Sequence, residues 1–356
     1  MHKEYPIHWL EKIINKILNK NLLEITLATG KTPSGHIHIG ILRELIICDS
    51  IRRKLEEYDK KVNFFLFIDS LDAAKRFPEY IEKTFTKKYL GKPFSKIPCP
   101  FDESDCKSYS DYFGTELIST FKQFGIKVDI IWTHELYQDS KMKDKIRISL
   151  NNTDKIKEIV RKNILPTLDE KNKKLFIDTQ KDWFPAMVIC EKCGKMQKID
   201  DNNSIQPNRV LSYDKNKDTV SFSCTSCGNS GEIPINKGEL KLNWRVDWPA
   251  KWAIFKTTCE PAGKDHSVKG GSYDTGLEIC KTIFNYDGPI KLSYEWLRLG
   301  DQDMKTSKGI IFTPKKYLEI ANPEILRMLF LRTLPNKHIS FRLEELFQLY
   351  DYYEKM

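Results

Sequence analysis

The chain has 356 residues, of which 40% are hydrophobic, 30% charged and 12% aromatic, enough apolar material for a globular fold with more than one core. With 17 glycines and 16 prolines it is neither collagen-like nor low-complexity, and no apolar run approaches the roughly 20 residues needed to span a bilayer. The opening Met1-His2-Lys3-Glu4 is no secretory signal, so a cytoplasmic protein without a membrane partner is expected; the net charge of +9 allows a polyanionic partner without naming one.

Residues 22–28 read as a buried strand, 39–58 as an amphipathic helix and 62–68 as a second buried strand. Strand, helix, strand is a βαβ unit, which implies an α/β fold with a parallel sheet. Residues 109–124 read as a helix ended by Gly125, and 128–132 as a third strand, after which the pattern is helical to Asn163. The lysines at 171, 173 and 174 read as a solvated face. From 182 to 234 the chain breaks into short polar pieces, the signature of an insertion that splits the sheet. After Trp244 the alternation resumes with an apolar stretch at 252–255, a helix at 275–284 and a strand at 290–294.

The insertion carries its own chemistry. Cys190-x2-Cys193 and Cys224-x2-Cys227 form two knuckles, each followed by glycine, Gly194 and Gly228. Four thiolates satisfy tetrahedral Zn²⁺, and the glycines supply the positive φ that such turns require. Four protein ligands close the site, so the expected zinc is structural and holds a small ribbon together. The other five cysteines, at 48, 99, 106, 259 and 280, read as reduced core residues or bystanders.

Two loops carry the remaining signal. The first, from Thr29 to Gly40, runs Thr-Gly-Lys-Thr-Pro-Ser-Gly-His-Ile-His-Ile-Gly between the first strand and its helix, where amides and the helix dipole converge on negative charge. It is neither a Walker loop nor Gly-x-Gly-x-x-Gly. The second, Asp303-Met304-Lys305-Thr306-Ser307-Lys308-Gly309, follows the last strand and is small, hydroxylated and basic, suited to charge developing on transferred phosphates.

Together with Trp244-Arg245-Val246-Asp247-Trp248-Pro249-Ala250-Lys251-Trp252, Gly263-Lys264-Asp265-His266 and Tyr294-Glu295-Trp296, these loops resemble those of class I aminoacyl-tRNA synthetases, and more closely the archaeal-type class I lysyl-tRNA synthetases. The resemblance implies a Rossmann-like catalytic domain in two halves, residues 1–180 and 239–312. A zinc-ribbon insertion at 181–238 separates them, and a short α-helical stem-contact region follows at 313–356. Against the family the chain reads as C-terminally shortened, with the anticodon-binding bundle mostly absent.

The implied activity is lysine–tRNA ligation: ATP, with Mg²⁺, activates L-lysine to lysyl-adenylate, and the lysyl group passes to tRNA(Lys), met mainly at its acceptor end. The resemblance places His36, His38, Lys305 and Lys308 in catalysis. It places Pro33, Gly35, His38, Gly40, Asp265, Ser307 and Lys308 around ATP, and Gly30, Thr32, Trp244 and His266 around lysine. Ile41 replaces the second signature histidine, Asp303 replaces the first loop lysine and Lys305 a serine. An acid must face the lysine ammonium, and Asp72, Asp247 and Asp274 are unranked candidates. Trp248 and Trp252, four residues apart, read as core. The alternatives are a shortened paralog that lysylates another acceptor and a non-catalytic zinc-containing nucleic-acid-binding protein.

Overall fold

The computed structural model describes residues 8–101, 105–200, 202, 204–303 and 311–356. Its centre is a five-stranded sheet, all parallel: β1 (Glu24–Lys31), β2 (Lys61–Ile68), β3 (Asp129–Trp132), β4 (Cys259–Gly263) and β5 (Ile290–Tyr294), in the order β5-β4-β1-β2-β3. β1 and β2 place apolar residues toward both faces because both faces of the sheet are covered. Ile25, Leu27, Phe64 and Leu66 point into one core, and Ala28 and Phe67 into the other.

The first core lies under the helix Ile41–Glu56, whose residues 41–52 are all buried. The expected amphipathic pattern is weak because the C-terminal segment covers the helix's outer side. Asp49, fully buried, accepts from Arg52 at 2.8 Å, Arg53 at 2.8 Å and Arg327 at 3.0 Å. Arg43, also fully buried, donates to the carbonyls of Glu295, Leu334, Pro335 and Lys337. The helical region expected at 313–356 contains three helices, Pro314–Leu318, Pro323–Arg332 and Leu346–Glu354. The break falls where Asn322 caps a new helix with Pro323 at its first position. A short strand, Ile339–Phe341, pairs with Leu297–Leu299.

The second core lies under the helices Trp244–Phe255 and Ser272–Phe284 and continues into the insertion through Val210, Phe222 and Ile233. The insertion's neck is closed by the antiparallel pair Ala186–Val188 and Leu240–Leu242. Beyond it lie a hairpin and a three-stranded meander. Gly194 and Gly228 have φ of 71° and 72°, as the knuckle spacing predicts. A helix at Glu170–Thr179 went unread in the lysine-rich stretch, where no residue is buried to mark a periodicity. Cys99 and Cys106, expected as free thiols, are joined in a disulfide. No helix among the described residues is long and apolar enough to cross a membrane.

β4 is the strand the sequence pattern hides. Cys259-Glu260-Pro261-Ala262-Gly263 is buried at every position, yet Glu and Pro break any apolar run. It meets β1 through one register pair, Leu27 with Cys259, and Pro261 has no N–H to extend a ladder. The two strands therefore part toward their C-terminal ends.

Candidate active site

The gap between β1 and β4 is also where the strand order reverses, since β2 and β3 lie to one side and β4 and β5 to the other. Such a reversal leaves a crevice at the carboxyl ends of the strands. A cavity of about 1140 Å³ fills it. Seven of the residues picked from sequence line it: Gly30, Thr32, His38 and Gly40 from the first loop, Trp244 from its helix, and Asp265 and His266 after β4. Pro33, Gly35 and His36 do not. Lys305, Ser307 and Lys308 lie outside the described residues.

The two histidines of the first loop diverge. His38 Nδ1 accepts from the Gly40 amide at 3.1 Å, so the ring proton sits on Nε2, free to donate into the cavity. Burial, helped by the neighbouring Lys31 ammonium, lowers its pKa to about 3, so His38 is a neutral donor at working pH. His36 instead turns to Glu116 at 2.8 Å and packs against the Tyr80 and Phe113 rings.

Asp265 folds back over the end of β4, where a Cβ on Gly263 would come within 2.7 Å of its Oδ1. Its half-exposed carboxylate lies 3.4 Å from His266. Trp244 stacks on Trp248 with centroids 5.9 Å apart and meets the His266 ring edge-on at 5.3 Å, forming an aromatic wall.

The floor is a network of buried charges. Lys251 contacts Asp69 at 2.5 Å and Asp247 at 2.9 Å; Lys241 contacts Asp72 at 3.0 Å and Asp247 at 3.6 Å. Tyr137 donates to Asp247 at 2.6 Å, and Thr32 to Asp72 at 2.9 Å. Of the three acids proposed to face a ligand ammonium, Asp72 and Asp247 are thus held by the protein's own lysines. Asp274 is outside the cavity, paired with Lys291 at 2.7 Å.

Two carboxylates that the sequence reading did not single out differ from these. Glu260 of β4 accepts from the indole N–H of Trp248 at 2.9 Å and of Trp252 at 2.6 Å. Both tryptophans were expected as core; Trp252 is, while Trp248 lines the cavity. Glu44, one turn into its helix, accepts from Tyr294 at 3.0 Å. Burial pushes both carboxyls up to about 7, and among the described residues neither has a cation within ion-pair distance. Glu44 stood in plain view beside Arg43, but nothing in a helix sequence marks which polar residue faces a cavity. Glu260 was hidden with its strand.

The four knuckle cysteines converge away from this cavity, with all sulfurs within 4.8 Å of one another. The Sγ–Sγ distances of 3.7 Å for Cys190–Cys227 and for Cys193–Cys224 match the edge of a tetrahedron, about 3.8 Å for sulfur about 2.3 Å from zinc. The set fits a closed tetrahedral metal.

Comparison with known proteins agrees with this geometry. The chain is 37% identical to a lysine–tRNA ligase of Methanocaldococcus jannaschii and 38% identical to one of Methanococcus maripaludis, each over 98% of this chain and 62% of the relative. A third, from Archaeoglobus fulgidus, is 35% identical over 94% of this chain and 62% of the relative. The chain therefore spans about 62% of the length of the curated relatives it matches. The family model described as class I (K) tRNA synthetases matches residues 7–356, and the chain belongs to that family.

Proposed function

We propose that the protein activates L-lysine with ATP and transfers the lysyl group to tRNA(Lys). The observation that carries the choice of substrate is the pair of buried carboxylates, Glu44 and Glu260, which lie beside an aromatic wall and whose neighbouring lysines, Lys31 and Lys251, stand beyond ion-pair distance. A ligand with an aliphatic stem and a terminal ammonium satisfies both: its methylenes pack on Trp244, and its charge replaces the water the carboxylates lost. Gly30 and Thr32 would hold the amino-acid end, and His266 would line the side-chain pocket with Trp244.

In the reaction a lysine carboxylate oxygen attacks the α-phosphorus of ATP. The new O–P bond forms as the bond to the bridging oxygen breaks, and pyrophosphate leaves with the pair. No protein nucleophile is needed, so the work is positioning and charge stabilisation. His38 donates from Nε2 to the phosphates, Gly40 leaves room for the nucleotide, and Asp265 accepts from the ribose hydroxyls. Pro33 and Gly35 shape the loop, and Lys305, Ser307 and Lys308 are assigned to the pyrophosphate. His36, held by Glu116, supports the loop from outside the cavity. Mg²⁺ arrives with ATP, and Zn²⁺ held by Cys190, Cys193, Cys224 and Cys227 would fasten the insertion.

Lysine-dependent exchange of pyrophosphate into ATP, run against all twenty amino acids, tests this reading. Exchange with lysine alone is expected. No exchange with any amino acid, or exchange with an uncharged one, would overturn it.

A further inference from the structure

Among the described residues, the lysine and arginine side chains that line the cavity are Lys31, Lys75, Arg76, Lys241 and Lys251. Lys241 and Lys251 are neutralised by the floor aspartates. Lys75 and Arg76 are exposed on the loop after β2. In that loop Ala74 N–H bonds Lys92 O, Gly91 N–H bonds Ala74 O and Met196 N–H bonds Gly91 O, each at 2.8 Å. This backbone ladder fastens the two exposed cations to the cysteine-bearing insertion, which leaves Lys31 as the cation of the crevice itself.

Lys31 is the last residue of β1. Its backbone is fixed by pairing with Ile68 of β2 and by its carbonyl, which accepts from the Asp69 amide at 2.9 Å. Its side chain is half-buried, faces the cavity and makes no ion pair or hydrogen bond among the described residues. The carboxylates of Glu44 and Asp265 act on it only through space, and burial outweighs them, so its pKa lies below the usual lysine value. His38 stands near enough that the Lys31 ammonium helps to lower its pKa in turn. An ammonium so placed is short of a counter-charge, and a bound anion supplies one.

Its neighbours define which part of a nucleotide it meets. His38 is the donor assigned to the phosphates, and Asp265 the acceptor assigned to the ribose hydroxyls. The α-phosphate joins those two parts of ATP. His36 is turned to Glu116 and Ile41 is buried and apolar, so the first loop brings no further ring donor to that phosphate.

We infer that Lys31 binds the α-phosphate of the nucleotide and stabilises the charge that builds there as the lysine carboxylate attacks. While the new O–P bond forms and the bond to the bridging oxygen breaks, negative charge gathers on the two non-bridging oxygens. The Lys31 ammonium donates to one of them and keeps its proton, and pyrophosphate leaves with the electron pair. The inference rests on the ligase reading for the attacking group. The phosphate contact itself is measurable without turnover.

The test compares AMP with adenosine, which differ by the α-phosphate alone, in calorimetric titrations, and adds pyrophosphate exchange on the same proteins. The wild type is expected to bind AMP at least about tenfold tighter than adenosine. Lys31→Met should abolish that preference with adenosine affinity unchanged. It should also lower kcat for exchange at least about 30-fold while KM for lysine stays within about twofold. The methionine keeps an apolar stem and strands no partner, so the melting temperature should not fall. Lys31→Arg, which keeps the charge, should retain most of the AMP preference.

A wild type with no AMP preference, or a Lys31→Met protein that keeps it in full, would overturn the inference. So would weakened ATP binding with AMP spared, which would place Lys31 at the pyrophosphate. A raised KM for lysine with kcat unchanged would make Lys31 a partner of Glu44 and overturn it too. If the wild type exchanges with no amino acid, the ligase reading falls, while the AMP–adenosine comparison still decides the contact.

Discussion

The floor of the cavity and its upper wall hold buried acids in opposite states. On the floor, Asp69, Asp72 and Asp247 face Lys241 and Lys251, so every charge has a counter-charge 2.5 to 3.6 Å away. On the wall, Glu44 and Glu260 accept neutral donors only, a tyrosine hydroxyl and two indoles. A buried ion pair that is complete is part of the scaffold, and removing one partner strands the other. A buried carboxyl with polar donors but no cation is held near neutrality and gains most from a ligand that brings the charge. The contrast separates acids that build the site from acids that, on the proposed function, would read the substrate.

Breaking the floor should give the largest effect. Asp247→Asn leaves Lys241 and Lys251 short of a counter-charge and is expected to destabilise the fold by about 3–5 kcal/mol, measured by urea unfolding. A cost under about 1 kcal/mol would mean the network is not cohesive. Breaking the wall should do the reverse. Glu260→Gln is expected to raise KM for lysine on the order of 30- to 100-fold, about 2–3 kcal/mol, with no loss of melting temperature. An unchanged KM would remove Glu260 from the lysine site.

His38 tests the contrast from the uncharged side. His38→Ala should slow exchange at least about tenfold, about 1.4 kcal/mol, with little change in stability. Because burial and Lys31 hold its pKa near about 3, the deficit should be the same from pH 6 to 9.

The smallest effect is that of pH on binding. Glu44 and Glu260, near 7 in the free protein, are largely protonated at pH 6, so lysine affinity should rise several-fold between pH 6 and 8. Near pH 6.5 binding should release protons, visible by calorimetry in buffers of different ionisation enthalpy. The raised values also mean that the folded chain keeps protons the unfolded chain gives up above 4.5. Stability of the free protein should therefore decline as pH rises from about 4.5 to 7, and lysine should restore it.

What could be read from sequence followed from how each element advertises itself. β1 and β2 carry apolar residues toward both faces because both faces are covered. The cysteine knuckles announce themselves by spacing, down to the positive φ of Gly194 and Gly228. The first loop, the Trp-rich helix and the Gly-Lys-Asp-His stretch gave seven cavity residues, among them His38, Trp244 and Asp265. β4 escaped because Glu260 and Pro261 each have a functional reason to be there: one faces the cavity, the other helps the strands part. Asp72 and Asp274 could not be ranked in one dimension, since their lysines, Lys241 and Lys291, come from other elements, whereas Asp247 has Lys251 four residues on in its own helix. The lysine loop lies outside the described residues, so its roles rest on resemblance.

Gly91 carries a consequence out of proportion to its size. A single methyl there would sit 2.1 Å from the Gln197 carbonyl oxygen, at a φ of 86° that favours glycine in any case. The two jaws of the long cavity are thus gauged by a missing side chain, in the way a machinist sets a gap with a shim of known thickness. Any residue added at this point pushes the insertion away from the loop after β2 before it touches anything inside the cavity.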